Sequence, residues 1–198
     1  MGMGEPFLNY DNVIRAARIM SDPAGPAISG KAISISTAGV VPMIRRFTTE
    51  GHPFRLVVSL SGATADVRLP LMPIEARWPL PDLMDAIRGY ADATGNRVTL
   101  AWVMVGGVNT APTQAEALAD LVERSGGVRV KLSLIDVSDP AGRYRPPSDA
   151  ELDGFREVLA RRRIPFVRRY SGGRDIEAAC GTLSASRRGG ELVQIKSP

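Results

Sequence analysis

The sequence predicts an α/β fold in which parallel strands alternate with helices, as in a doubly wound sheet or a (βα) barrel. Three observations carry this. Five short runs rich in β-branched residues are bounded by turn formers. Stretches with apolar residues at helical spacing lie between them, two opening on Ser/Thr-x-x-Glu capping boxes. The alternation runs through the chain without a repeat, low-complexity tract or internal linker, and such alternation joins parallel strands by right-handed crossovers.

In chain order, residues 11–20 place Val13, Ala16, Ala17 and Met20 on one helical face. Ala32 to Ser36 reads as the first strand and Phe54 to Leu60 as the second. Pro81 to Thr94, with Leu83, Ile87, Tyr90 and Ala91, reads as a helix stopped by Gly95. Val98 to Val105 is the third strand. Thr113 and Glu116 form a capping box for the helix carrying Leu118, Leu121 and Val122. Val128 to Leu134 is the fourth strand, and 136–147 (DVSDPAGRYRPP) is the one long loop, of a length often tied to function. Ser148 and Glu151 cap the helix of Leu152, Phe155 and Leu159, and Pro165 to Arg168 is the fifth strand. Helix 11–20 has no strand before it, so the alternation is expected to start in the middle of a βα unit.

Composition narrows the chemistry. The 198 residues, with 44% hydrophobic and 23% charged, have a globular balance and fit one domain, 1–198, ending in a basic segment. One Cys and one His cannot build a tetrathiolate or His-rich metal site. No run of about 18 apolar residues and no basic-then-apolar leader is present, so a cytoplasmic protein is expected. The net charge of +4 is uneven: Arg161, Arg162, Arg163, Arg168, Arg169, Arg174, Arg187 and Arg188 fall near the end. Such clustering suits a polyanion, although solvated helix ends would give the same pattern.

In parallel α/β folds chemistry sits beyond the C-terminal ends of strands. That rule selects Gly4, Glu5, Ser36 with Thr37, Ser59 with Ser61, Asn109, Ser138 and the stretch 173–180. A carboxylate and several hydroxyls could bind the ammonium, carboxylate and ribose of a small ligand, and each Ser could equally be a turn residue. His52 precedes the second strand and reads as a surface loop residue away from any site. Cys180 is either a small buried hydrophobe or, beside Gly181 and near Arg174, a nucleophilic thiolate.

Several strings, taken together and in order, then resemble a known family: 1–6 (MGMGEP) with Leu8, Asn9, Asn12 and Val13, 36–42 (STAGVVP), 71–74 (LMPI), Val108 with Asn109, and 175–181 (DIEAACG). They resemble the radical S-adenosylmethionine 23S rRNA/tRNA adenine methyltransferases, from Met1 to about Leu183. The resemblance implies a partial (βα) barrel of radical-SAM type. In it Gly4 and Glu5 meet the methionine end of S-adenosylmethionine, while Ser36, Ser59, Leu60, Ser61 and Ser138 line the rest of the pocket. It further implies that Cys180 carries a methyl group from one S-adenosylmethionine and presents it to a radical made from a second, which adds the carbon to the adenine ring. A 4Fe-4S cluster, a second resolving Cys, rRNA or tRNA as substrate and a reductase partner belong to the same picture.

Departures from the family's pattern are specific. The Cys-x3-Cys-x2-Cys cluster segment and the resolving Cys are absent, so the chain is expected to lack the N-terminal strands and cluster loop. Where the family has Ser-Leu-His, residues 59–61 are Ser-Leu-Ser, and where it has a cofactor-binding Asn, Ser138 stands. A serine is shorter and offers no amide donor–acceptor pair. The expected function is a divergent or truncated radical SAM RNA methyltransferase, with a non-catalytic RNA-binding remnant as the alternative.

Overall fold

The computed structural model describes residues 4–139 and 142–169. Five parallel strands form one sheet: β1 (Ser34–Thr37), β2 (Arg55–Ser59), β3 (Val98–Met104), β4 (Val130–Asp136) and β5 (Phe166–Arg169). The helices are α1 (Tyr10–Ser21), α2 (Val41–Thr49), α3 (Ala65–Leu71), α4 (Leu80–Thr94), α5 (Pro112–Arg124) and α6 (Asp149–Arg161). Strand order in space is the order in sequence. A doubly wound sheet must reverse its order at a switch point, whereas steps in one direction with one crossover hand put every helix on one face. The sheet is therefore the barrel-type solution, with a helix-covered outer face and an inner face.

The register fixes which residues belong to which face. Val58, Leu100 and Leu132 are aligned, as are Trp102 and Leu134, and all are fully buried. Trp102 meets Phe155 of α6 with ring centroids 5.6 Å apart, so this set faces the helices. The alternate residues, Ser36, Val57 and Thr99 in one row and Ser59, Ala101, Ser133 and Val167 in the next, face the inner side. Small residues there leave room above the sheet.

All five expected strands form, with bounds shifted by one or two residues at most ends. Two helices go beyond the sequence expectation. α2 begins within a β-branched run, Val40 and Val41, but Pro42 in its first turn presets helical φ. α3 is seven residues long with Pro70 inside it, too short to show a period. The Ser148–Glu151 capping box is present in both directions at the start of α6. The Thr113–Glu116 box is not formed: α5 starts at Pro112, without a side-chain cap, and Glu116 instead pairs with Arg161 and Arg162 of α6. The nearby arginines outcompete the backbone for its carboxylate.

His52 is not a surface loop residue. It is 6% exposed, stacked on Phe54 at 5.9 Å and tilted against Phe47 at 5.4 Å, with Nε2 2.7 Å from Glu50 Oε2. Its position below the sheet's N-terminal edge still keeps it from the functional end. Glu50 also accepts from the Tyr10 hydroxyl at 2.8 Å and Arg46 Nε at 2.7 Å, tying α1 to α2. Burial pulls the Glu50 carboxyl upward, but these hydrogen bonds outweigh it and bring it down to about 2. A carboxyl depressed on folding stabilises above its unfolded value of about 4.3 and loses that contribution as pH falls towards the folded one. The urea midpoint is therefore expected to fall between pH ~4.3 and about 2, and Glu50→Gln should flatten that part of the profile.

Candidate functional site

Glu5 is placed by two backbone donors. Its Oε1 accepts from Phe7 N at 3.0 Å, capping the short 3-10 turn Pro6–Asn9, and its Oε2 accepts from Ala38 N at 2.7 Å just beyond β1. A carboxylate accepts about four hydrogen bonds, so capacity remains for an ammonium donor. Gly4, with φ +133°, sits in a region closed to residues with a Cβ, which is what lets the chain turn into Glu5. Thr37 Oγ1 accepts from Gly39 N at 3.1 Å and Val40 N at 3.4 Å. The amides of residues 38–40 are thus fixed by Glu5 and Thr37.

Ser36 and Ser59 lie on the inner face, with Ser133 one strand over from Ala101 in the Ser59 row. Ser133 Oγ is buried and has no hydrogen-bond partner among the described residues. An orphan hydroxyl on a face of small residues is the feature expected where a polar ligand completes the bonding. Ser138 follows the end of β4, half-buried. Glu5, Ser36, Ser59 and Ser138 therefore share the C-terminal edge or inner face of the sheet, and Ser133 joins them. Ser133 stood inside a strand whose other face is apolar, and alternation was the signal that could have found it.

Leu60 and Ser61 brace the end of β2. The Leu60 side chain is fully buried in the core, its N donates to Ala101 O at 2.8 Å, and its O accepts from Gly62 N and Arg68 Nε. Ser61 adopts φ +51°, rare for a residue with a Cβ. Its hydroxyl accepts from Val103 N at 3.3 Å, and its carbonyl accepts from Asn109 Nδ2 at 2.8 Å. Asn109, expected among the site residues, is 0% exposed and also spans Val103 O at 2.7 Å and Val105 N at 2.8 Å. It clamps the ends of β2 and β3.

Arg68 was not singled out from the sequence, yet it is central. Its guanidinium, 0% exposed, donates to Ala38 O at 3.0 Å, Leu60 O at 3.2 Å and Glu75 Oε2 at 2.6 Å. Glu75 Oε1 in turn accepts from Leu80 N at 3.0 Å at the start of α4. Burial lowers the Arg68 pKa, while the Glu75 carboxylate acts to raise it. A Cβ at Gly62 would lie 2.8 Å from the backbone of Arg68, so glycine is needed for this approach. On the far side of the edge, Glu151 accepts from Gly107 N at 2.7 Å, Thr110 Oγ1 at 3.0 Å and Arg145 Nη1 at 2.7 Å, fastening the β4–α6 connection to the end of β3.

Cys180 and Arg174, Arg187 and Arg188 lie outside the described residues. Of the remaining basic cluster, Arg161 and Arg162 are engaged by Glu116, and Arg162 also by Asp120 at 2.6 Å and Glu123 at 3.0 Å. Arg168 pairs with Asp136 at 2.8 Å. Among the described residues no group of three His, Cys, Asp or Glu could hold a metal ion, and no helix is long and apolar enough to cross a membrane.

No family model matches the chain. Among curated proteins it is 56% identical over 190 residues to a probable RNA methyltransferase of Anaeromyxobacter sp. strain Fw109-5, covering 95% of this chain and 55% of that protein. It is 40% identical over 186 residues to the dual-specificity RNA methyltransferase RlmN of Syntrophobacter fumaroxidans, covering 93% and 53%. Among solved structures, a radical SAM methyltransferase from Sphaerobacter thermophilus superposes with a TM-score of 0.87 at 39% identity, over 92% of this chain and 53% of that one. A domain of the pyruvate-formate lyase-activating enzyme from Bacteroides vulgatus, at 14% identity and TM-score 0.62, shares the fold alone. The chain spans about half the length of the curated relatives it matches. Over that span it is similar in sequence and fold to RlmN-type radical SAM RNA methyltransferases.

Proposed function

We propose that this chain contributes the S-adenosylmethionine pocket and the methyl-carrying thiol of a radical SAM RNA methyltransferase that modifies an adenine ring carbon of 23S rRNA or tRNA. The observation that carries the reading is the placement of the Glu5 carboxylate just beyond the end of β1, with Ser36, Ser59 and the orphan Ser133 Oγ on the inner face of the same parallel sheet. The donor set fits the cofactor. Glu5 has acceptor capacity for the methionine ammonium, Gly4 keeps the approach open, and the serines suit carboxylate and ribose oxygens. Ser138 lines the pocket from the end of β4. Leu60 and Ser61 shape it through their backbone.

Bound there, S-adenosylmethionine supplies an electrophilic methyl on a sulfonium. The Cys180 thiol loses its proton to solvent, and its sulfur lone pair takes that methyl as the carbon–sulfonium bond breaks, leaving a thioether on both sulfurs. Carbon 2 of adenine is not nucleophilic, so this thioether must next be activated as a radical. The 4Fe-4S cluster for that step does not fit this chain, whose sequence holds one Cys where a cluster needs several thiolates. A reductase partner and a cytoplasmic setting complete the reading, with residues 1–198 acting as one domain and its basic end meeting RNA.

Calorimetric titration with S-adenosylmethionine tests the pocket. Glu5→Gln keeps the shape but removes the charge, and a charge-assisted hydrogen bond is worth about 1.5–3 kcal/mol, so affinity should fall about 10- to 100-fold. An unchanged Kd would overturn the pocket assignment. Mass spectrometry of the wild-type chain after incubation with S-adenosylmethionine should show methylation at Cys180. Tight binding with an unmodified Cys180 would favour the non-catalytic, RNA-binding alternative.

A further inference from the structure

A second feature lies at the opposite end of the barrel, where the strands begin. A cavity of about 240 Å³ is lined there by Arg97 before β3, Arg129 before β4, and Arg162 and Arg163 after α6, over an apolar floor that includes Val122 and Ile164. Glu123 is the acid among the lining residues, and Arg162 holds it at 3.0 Å. Arg97, Arg129 and Arg163 are exposed. The one hydrogen bond described for their guanidinium groups runs from Arg129 Nη2 to Gly95 O at 2.7 Å. Three cationic forks thus surround one concavity with donors to spare, and a guanidinium fork matches a phosphate.

The backbone under Arg163 is the independent sign that this residue is there for its side chain. Three helices end at this rim, each with a residue in the left-handed region. α4 ends on Gly95 at φ +66° and α5 on Gly126 at φ +80°. α6 ends on Arg163 at φ +57°, whose N donates to Ala160 O at 3.0 Å while Ile164 N donates to Leu159 O at 2.9 Å. That is the same capping motif as at α5, with arginine where glycine is unstrained. A strained residue kept beside a basic cavity points to function.

We infer that this arginine rim is a second RNA contact, taking backbone phosphates on the face away from the methyl-transfer pocket. The inference rests on the RNA methyltransferase reading above. A strand of this sheet spans about 20 Å, so an RNA offering one nucleotide at the pocket would reach the rim with another part of its backbone. Arg161 and Arg162, committed to acids on α5, contribute little to it. Of residues 161–163, Arg163 is the one placed to act with Arg97 and Arg129.

The test is fluorescence anisotropy of the full chain with a labelled hairpin RNA across a salt series. The variant Arg97→Ala, Arg129→Ala, Arg163→Gly should lower the slope of log K against log salt by about two units, at ~0.7 for each phosphate left without its arginine. Arg15→Ala, Arg18→Ala, Arg45→Ala removes the same charge from α1 and α2 and should leave the slope within about half a unit. Arg163→Gly alone should keep or raise the melting temperature while lowering the slope by ~0.7. A lower melting temperature would instead make Arg163 a structural cap and overturn its assignment. A rim variant with the wild-type slope would overturn the RNA-binding role. If inorganic phosphate binding, followed by NMR, disappeared in that same variant, the cavity would be a free-anion site instead. Retained S-adenosylmethionine affinity alongside an indifferent rim would sink this inference alone, whereas a wild-type chain that binds neither RNA nor S-adenosylmethionine would remove the underlying reading as well.

Discussion

Arg68→Met is expected to cost about 3–5 kcal/mol of folding stability, the range for removing one partner of a buried ion pair. The guanidinium is fully buried and satisfies Ala38 O, Leu60 O and the Glu75 carboxylate together. Methionine fills much of the volume but leaves Glu75, 5% exposed, as an uncompensated buried charge. Urea denaturation checks this, and a deficit no larger than that of an ordinary surface substitution would overturn the buried-pair reading. Arg68→Met with Glu75→Leu removes both charges and should recover only part of the stability, because Ala38 O and Leu80 N still lack these partners. Since Ala38 and Leu60 sit at the ends of β1 and β2, S-adenosylmethionine affinity should fall in both variants.

Strands were readable because their outer rows, such as Leu100, Trp102 and Leu132, must be apolar to pack on helices, and that pattern survives in a single sequence. The barrel-type order was not readable from alternation alone: it depends on the direction of each crossover, which leaves no local mark. Glu5, Ser36 and Ser59 emerged from two short-range rules, residues after strand ends and the matched strings. Arg68 escaped both. Its partners are 30, 8 and 7 residues away, and an arginine in a seven-residue helix reads as solvated until the fold closes over it. The His52 error has the same origin, since the Phe47 and Phe54 rings that bury it come from different elements. Sequence clustering also gives no sign of which arginines are paired: α5 supplies Glu116, Asp120 and Glu123 against Arg161 and Arg162, whereas Arg97 and Arg129 join Arg163 only through the strand register.

Asn109→Ala is expected to destabilise by about 3 kcal/mol or more, since it strips partners from three backbone groups at about 1–3 kcal/mol for each one left unsatisfied. Those groups are Ser61 O, Val103 O and Val105 N, which the one amide joins across the ends of β2 and β3. Asn109→Asp separates hydrogen bonding from volume. The carboxylate still accepts from Val105 N but presents oxygens to two carbonyls that need donors, so at neutral pH it should be at least as damaging as alanine despite its better fit. If Asp were well tolerated, the clamp would be one of packing. The clamp also holds Ser61 at φ +51°, a conformation that a residue with a Cβ keeps only when its surroundings impose it. Releasing it should let the 59–61 turn relax, so S-adenosylmethionine affinity should drop in Asn109→Ala even under conditions where the chain remains folded. Ser61→Gly in the Asn109→Ala background should then restore part of the stability, because glycine adopts that φ without strain, while leaving affinity low if the clamped Ser61 conformation shapes the pocket. Recovery of both would instead show that folding alone was at stake.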